Sequence, residues 1–206
     1  MIEAAGQTCS QCGWIFDCES LMNNMCKNCK SPILVESVAH LEKFEESAIK
    51  KFIAFYSKTL KGDSRDRNAL IAIGVCYLKL GLFNLCDKFL WTLIDSHPDH
   101  PSGYYYRALS VFKGKRPRTA SLPVVREAEK FLITATELDL ENGRYDATLA
   151  VIKHDYYVLN GMRVPSPDPD ALIDSAVEKH IDLLEIVQVL GLLHIPDGPM
   201  FAKLVS

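Results

Sequence analysis

Four cysteines near the start of the chain have the spacing of metal ligands. They form two Cys-x-x-Cys pairs, Cys9 with Cys12 and Cys26 with Cys29. Each pair can direct two sulfur atoms at one metal ion, and thiolates are soft ligands that suit Zn²⁺. Four thiolates complete a tetrahedral site and leave no coordination position for water, so the predicted zinc is structural rather than catalytic.

Residues 1–35 must fold around this site with little core of their own. Two β-capable stretches, 14–16 and 33–35, flank the cysteine pairs, and Gly13 follows the first pair, where a tight turn favours positive φ. A segment of about 30 residues cannot bury enough apolar surface to fold alone, so the metal would supply the folding free energy. The segment resembles a zinc ribbon.

Other uses of the cysteines are less well supported by the sequence. A disulfide framework needs an oxidising compartment, and residues 1–6 show neither the basic region nor the apolar run of a signal peptide. A redox Cys-x-x-Cys usually lies in a βαβ context, for which there is no pattern here. An iron–sulfur centre and redox chemistry remain the alternatives to zinc.

The composition predicts a soluble globular protein of one or two domains, and seven cysteines without a secretion signal predict a cytoplasmic location. The chain has 206 residues, of which 48% are hydrophobic and 24% charged, with a formal net charge of −3. No stretch approaches the roughly 18–20 apolar residues that a membrane span requires. The nearly neutral charge balance gives no general attraction to nucleic acid or to anionic lipid.

A helical period of apolar residues begins after residue 35. It predicts one long amphipathic helix over residues 37–61 and then a pair of helices over 68–98. In this pair, Gly74 and Cys86 are small residues where the two helices would cross, and Gly81 would end the first helix.

The segment 68–98 resembles a tetratricopeptide repeat, whose signature extends over 34 residues. The resemblance is carried by Leu70, Ile73, Gly74, Tyr77, Gly81, Phe83, Cys86, Leu90, Leu93 and Pro98. A second copy contains Tyr104, Ala108, Val111, Ala128, Leu132, Ala135 and Leu140, with an insertion near 113–118. A third pair is weakly marked from Asn142 onward. The predicted fold is therefore mainly α: a TPR-like antiparallel helical-repeat solenoid over 36–206, after a small β zinc ribbon over 1–35.

The C-terminal part predicts a capping helix for the open end of this array. Asp168 is a candidate N-cap with Pro169 at the first helical position, and the helix is expected over residues 170–191. Its outer face is expected to be acidic, with Asp174, Glu178, Asp182 and Glu185. The tail from His194 to Ser206 is expected to be irregular.

The sequence contains no catalytic constellation and no phosphate-binding glycine loop, so we do not expect an enzyme. The resemblance implies a concave groove lined by the first helix of each repeat, which would bind an apolar or amphipathic segment of another protein. The implied partner-binding residues are Asn68, Ile71, Val75, Leu78, Tyr105, Leu109 and Phe112. The same side chains would alternatively pack against the 37–61 helix or the C-terminal tail.

These features predict an adaptor or scaffold whose zinc ribbon is a second contact surface. The first alternative is a nucleic-acid-associated factor that uses the zinc ribbon and a basic loop formed by Lys113, Lys115, Arg116 and Arg118. The second alternative is an accessory subunit whose active site is completed by another chain.

Overall fold

The computed structural model describes residues 9, 14, 26–29, 35–42, 44–196 and 198–204, without the side chains of 199–201, and these residues are mainly helical. The α-helices are α1 (Glu46–Gly62), α2 (Arg67–Lys79), α3 (Phe83–Ser96), α4 (Pro101–Ser110), α5 (Leu122–Leu138), α6 (Arg144–Lys153), α7 (Pro169–Val177), α8 (Leu183–Leu192) and α9 (Pro199–Leu204). A 3₁₀ turn at Ala39–Leu41 precedes α1, and a π-helical turn at His154–Val158 continues α6. Most of the predicted β stretches at 14–16 and 33–35 lies outside the described residues.

The helices from α1 to α7 pack mainly against their neighbours along the chain. Connections of a few residues join α2 to α3 and α3 to α4, which makes successive helices antiparallel. The connection from α4 to α5 is longer, as the predicted insertion at 113–118 requires, and it contains a 3₁₀ turn at Pro117–Thr119.

The helices form two layers that differ in burial. The inner helices α2, α4 and α6 are buried around nearly their whole circumference, and in α6 every residue from Tyr145 to Lys153 is buried. The outer helices α3 and α5 bury only one face; in α5 the buried positions recur every three or four residues. A helix that is buried all round must be covered on more than one side.

Small residues allow close contact between the two layers, as the sequence predicts. A Cβ atom added to Gly74 would lie 2.7 Å from Leu90 Cδ2, and Cys86 is fully buried in the facing helix. Burial raises the pKa of the Cys76 thiol to about 12, which suits a core residue rather than a reactive one.

Several predicted helix ends are confirmed. Gly81, two residues after the end of α2, has φ +68°, and α3 ends at Ser96, two residues before Pro98. Asp168 caps α7 by accepting a hydrogen bond of 3.0 Å from the Ala171 N–H, with Pro169 as the first helical residue.

The predicted 37–61 helix is wrong at its N-terminal end, because α1 begins only at Glu46. Residues 35–42, which we call the linker segment, fold instead as an irregular stretch with a 3₁₀ turn. Val35, Val38 and Leu41 are buried in the helical core. Burial of these three side chains, rather than helical periodicity, therefore determines the course of the linker segment.

The predicted 170–191 helix is two helices, α7 and α8, separated by residues 178–182. The break is stabilised by the backbone of His180, which accepts a hydrogen bond of 2.8 Å from the Gly143 N–H and donates one of 3.0 Å to the Glu141 carbonyl. The tail is also more ordered than predicted, since α9 packs against α6 and α7.

Candidate metal centre and covered inner face

Three of the four predicted metal ligands lie together. The Sγ atoms of Cys9, Cys26 and Cys29 are all within 4.8 Å of one another, and those of Cys9 and Cys29 are 3.5 Å apart. Tetrahedral zinc with Zn–S bonds of about 2.3 Å places its sulfur ligands ~3.8 Å apart. The geometry of the three thiols therefore fits a metal ion, while Cys12 lies outside the described residues.

Local backbone structure helps to bring these thiols together. The Cys9 N–H donates a hydrogen bond of 2.7 Å to the Trp14 carbonyl, which holds the backbone of Trp14 beside that of Cys9. Residues 27–29 form a turn after Cys26. Cys9 and Cys26 are buried and Cys29 is exposed, so the cluster lies at the surface rather than in the helical core.

The predicted partner-binding residues do not line an open groove. Asn68 is half-buried, whereas the other six are at most 3% exposed: Ile71, Val75, Leu78, Tyr105, Leu109 and Phe112. The apolar inner face is therefore closed in this structure, and partner binding by these residues stays a prediction. The inner helices are covered, in agreement with the alternative that these side chains pack within the chain.

Helix α8 and the linker segment cover part of the inner layer. Helix α8 contacts each inner helix: it packs along α6, Gln188 accepts a hydrogen bond of 2.8 Å from Lys79 Nζ of α2, and Glu185 contacts Tyr106 of α4. On its inward face Ile186 and Val189 are fully buried.

Glu185 lies at the centre of this contact, with none of its surface exposed. Its Oε2 accepts a hydrogen bond of 2.9 Å from the Ala39 N–H of the linker segment, and its Oε1 lies 3.0 Å from the Tyr106 hydroxyl of α4. One carboxyl group thus joins α8, the linker segment and an inner helix. The prediction that Glu185 belongs to an acidic outer face is wrong, although Asp174, Glu178 and Asp182 are exposed.

The hydrogen bonds around Tyr106 indicate the protonation state of Glu185. The Tyr106 hydroxyl lies 2.9 Å from the Glu36 carbonyl and 3.0 Å from Glu185 Oε1, but it has only one hydrogen to donate. Both contacts are satisfied when a protonated Glu185 donates to Tyr106 and Tyr106 donates to Glu36. Burial raises the pKa of the Glu185 carboxyl, which favours this arrangement.

Two clefts remain beside α8. One, of about 380 Å³, lies near the N-terminal end of α8 and is lined by Asn68, Ile71, Arg144 and Asp182 among others. The other, of about 290 Å³, is lined by Leu78 and by α8 residues that include Gly191. Three predicted groove residues, Asn68, Ile71 and Leu78, therefore border space that α8 leaves unfilled.

Arg144 carries a positive charge into the larger cleft. Its guanidinium carbon lies 4.8 Å from the Tyr105 ring centre and 5.0 Å from the Tyr145 ring centre, and Nη2 donates a hydrogen bond of 3.1 Å to the Tyr145 hydroxyl. Tyr105 thus faces Arg144 and α6, whereas the neighbouring Tyr106 faces α8 and the linker segment.

The predicted basic loop is only partly available for phosphate contacts. Lys113, Lys115 and Arg118 are exposed. Arg116 forms an ion pair of 2.6 Å with Asp155, whose carboxylate also accepts a hydrogen bond of 2.9 Å from the Arg118 N–H. Asp155 neutralises one of the four charges and fixes the loop to the π-helical turn.

Sequence reasoning missed three residues of the covered face: Glu185, Tyr106 and Arg144. For Glu185 a signal was present, because Asp182-Leu183-Leu184-Glu185 has the spacing of a capping box. Asp182 does cap α8, since it accepts hydrogen bonds from the N–H groups of Leu184 and Glu185. Recognising this start would have split the predicted 170–191 helix.

Comparison with known proteins adds no assignment: no family model matches the chain, and no curated protein is significantly similar to it. Among the described residues, none of the helices combines the length and the apolar character needed to cross a membrane.

Proposed function

We propose that the protein is a non-enzymatic adaptor with a TPR-like helical domain that binds a helical segment of a partner protein on the inner face formed by α2, α4 and α6. The observation that carries the proposal is that these helices already hold a helix, α8, across them. A surface that accommodates one amphipathic helix has the shape and chemistry to accept another.

The packing of the helices supports the TPR-like interpretation. Antiparallel neighbours follow one another along the chain, and equivalent positions of the first two pairs have equivalent burial. Gly74 corresponds to Ala108, and Leu90 to Leu132; all four positions are buried small or aliphatic residues at contacts between the layers. Such repeats expose a curved inner face that suits peptide binding.

The N-terminal segment is proposed to bind one structural Zn²⁺ through Cys9, Cys26 and Cys29, with Cys12 as the fourth ligand. A site with four thiolates is closed, so the ion would stabilise the segment and take no part in chemistry. Folded as a zinc ribbon, residues 1–35 would provide the second contact surface of the adaptor, beside a partner on the helical domain.

Two buried ionisable groups, Lys153 and Asp146, have structural roles, which supports a protein without a catalytic site at these positions. Lys153 is 2% exposed, and its ammonium group donates hydrogen bonds of 3.0 and 2.7 Å to the carbonyls of Pro165 and Pro167. Asp146 accepts a hydrogen bond of 2.9 Å from Ser175 and forms an ion pair with Lys179. These groups hold loops and helices in place and are not directed into a cleft.

A pull-down from native extract, with and without nuclease, tests the adaptor function. A suitable variant combines Arg67→Glu with Asn68→Lys, because both residues border the open cleft of the inner face. Lys130→Glu, an exposed residue on α5, is the matched surface control. We expect the wild type and the control to retain a stoichiometric protein after nuclease treatment, and the cleft variant to lose at least about tenfold in affinity for that protein once purified.

Two results would contradict the proposal. Equal partner affinity of the cleft variant and the control would place the binding surface elsewhere. Retention that disappears with nuclease would favour the nucleic-acid alternative and its exposed residues Lys113, Lys115 and Arg118.

Metal analysis tests the zinc site separately. We expect about one Zn²⁺ per chain, lost in Cys26→Ser but retained in Cys86→Ser, where the cysteine is buried in the helical core. Chelation should leave most of the helical circular dichroism signal, because the described helices begin only after residue 45. An unchanged zinc content in Cys26→Ser, or iron in place of zinc, would contradict the assignment.

A further inference from the structure

We propose that α8 is a resident ligand of the inner face, which a partner must displace, and that the partner is an amphipathic helix resembling α8 itself. This inference rests on the proposed function, because it names the partner chemistry and the regulation of the same surface. The partner helix would present a carboxylate at the Glu185 position, followed by aliphatic residues one, four and five positions later.

The footprint of α8 defines this chemistry. Glu185 is bonded to the Ala39 N–H and the Tyr106 hydroxyl, while Ile186, Val189 and Leu190 are buried against the helical core. In a helix, Val189 and Leu190 share the face of Ile186 because they follow it by three and four residues, and Val189 also follows Glu185 by four. The inner face therefore recognises one carboxylate together with a short aliphatic stripe.

Helix α8 is attached less firmly than the helices that it covers. It buries only four of its ten residues, whereas the covered helix α6, which is equally long, buries nine. On its outward side Leu184 is 45% and Val187 41% exposed, so only one face contributes to packing. The clefts of about 380 and 290 Å³ leave both of its ends incompletely packed.

The polar contact at Glu185 favours specificity over strong attachment. Moving a carboxyl group from water into a buried site costs free energy that its hydrogen bonds offset only in part. An aliphatic residue of similar volume would avoid that cost, but it would not distinguish this register of α8 from a slipped one. Alanine, by contrast, would leave a void and an unpaired Ala39 N–H, and so would weaken docking. Helix α8 is therefore positioned by Glu185 while remaining displaceable.

Hydrogen exchange of the wild-type protein is the first test, because it requires no variant. If α8 is displaceable, its amides exchange through an opening that leaves the amides of α4 and α6 protected. We expect exchange at Val189 and Leu190 to be at least about tenfold faster than at buried positions of α6. Equal exchange rates, showing that α8 opens only with the whole domain, would overturn the proposal.

Peptide binding is the second test, with the chain's own residues 182–193 as a fluorescently labelled probe. Because the covered face is rarely available, the apparent affinity is reduced by the fraction of molecules in which α8 is open. Glu185→Ala should increase that fraction and tighten peptide binding at least about fivefold. The matched control is Glu178→Ala, an exposed glutamate before α8, which should bind the probe like the wild type.

A probe peptide with alanine at position 185 tests the carboxylate, and it should bind the Glu185→Ala protein at least about fivefold more weakly than the native peptide. Equal binding of both peptides, or equal binding to all three proteins, would overturn the proposed partner chemistry. Failure of these tests with partner capture intact would place the partner on another surface. Success without partner capture would confirm the resident-ligand role and contradict the adaptor function.

Discussion

The inner and outer helices of this protein differ in how much of their circumference is buried. The outer helix α5 keeps its buried residues, among them Val125, Leu132 and Ala135, on one face. The inner helix α6 buries Asp146 and Lys153 together with its apolar residues. An outer helix packs against one layer of helices, whereas an inner helix must also have a segment packed on its opposite side. Part of that cover, α8 and the linker segment, comes from distant parts of the chain.

The largest effect is expected from placing a charge in the inner layer. Val75→Asp introduces a carboxylate at a fully buried position of α2, and an unpaired buried charge costs several kcal/mol. We expect Val75→Asp to lower the free energy of unfolding by at least about 4 kcal/mol or to prevent folding. Urea denaturation followed by circular dichroism measures this change.

The matched outer-layer variant is Ile133→Asp, at a position of α5 that is 43% exposed. It also replaces a β-branched aliphatic residue with aspartate in a helix, but its carboxylate remains in water. The expected loss is within about 1 kcal/mol. Similar losses in the two variants would contradict the distinction between the layers.

Tyr105→Glu and Phe112→Glu are unsuitable as tests of partner binding, because both side chains are at most 2% exposed and a charge there would destabilise the fold itself.

A smaller effect is expected where the inner helix α6 begins. A Cβ atom added to Gly143 would overlap the Ala176 carbonyl oxygen, which belongs to the backbone of α7 and cannot rotate away. Gly143→Ala should therefore force α6 and α7 apart and cost about 2–3 kcal/mol. Thermal unfolding monitored by circular dichroism measures the loss.

Gly191→Ala is the control for this substitution, since a Cβ atom there meets nothing within 4 Å. Because alanine has a higher helix propensity than glycine, we expect this variant to be unchanged or stabilised by up to about 1 kcal/mol. A loss in Gly191→Ala as large as that in Gly143→Ala would show that helix propensity, rather than the contact between layers, determines the outcome.

The sequence predicts the helices that follow one another closely and fails where distant segments meet. The α2–α3 pair, the Gly74 contact and the Asp168 cap depend on local spacing, and all three are confirmed. The break before α8 had a local signal in the Asp182 cap, which the continuous helical period obscured. The irregular linker segment instead depends on residues far along the chain, such as the hydrogen-bonded pair Ala39 and Glu185. A single sequence without an alignment gives no signal for such pairs.

The candidate sites show the same difference between local spacing and contacts with distant segments. The Cys-x-x-Cys spacing predicts a cysteine cluster, and Cys9, Cys26 and Cys29 do lie together. The inner-face residues are assigned to the correct helices, but their exposure depends on whether another segment covers them. Periodicity cannot distinguish a helix face that binds a partner from one that binds α8, because both need the same apolar residues.

The smallest effect is expected from the charge on Glu185. Its carboxyl is surrounded by the Tyr106 hydroxyl, the Ala39 N–H, the Arg144 charge and the Asp182 carboxylate, and burial raises its pKa above the ordinary value of 4.5. The protonated form is therefore favoured when α8 is docked, so docking is strongest below about pH 4.5 and weakens as the pH rises through the raised pKa. Hydrogen exchange of α8 should accordingly become faster between pH 5 and pH 7.5, after correction for the intrinsic exchange rate.

Glu185→Gln separates this charge effect from the packing of α8. A neutral amide can accept the Ala39 N–H and donate to the Tyr106 oxygen without a change of protonation, so the corrected exchange of α8 should lose most of its pH dependence. At pH 7.5 this variant should hold α8 at least as firmly as the wild type, whereas Glu185→Ala should release it. Release of α8 by Glu185→Gln, as by Glu185→Ala, would contradict a protonated Glu185. The carboxylate would then be ionised when α8 is docked. Electrostatic attraction to Arg144, rather than a hydrogen bond donated to Tyr106, would fix α8 to the inner face.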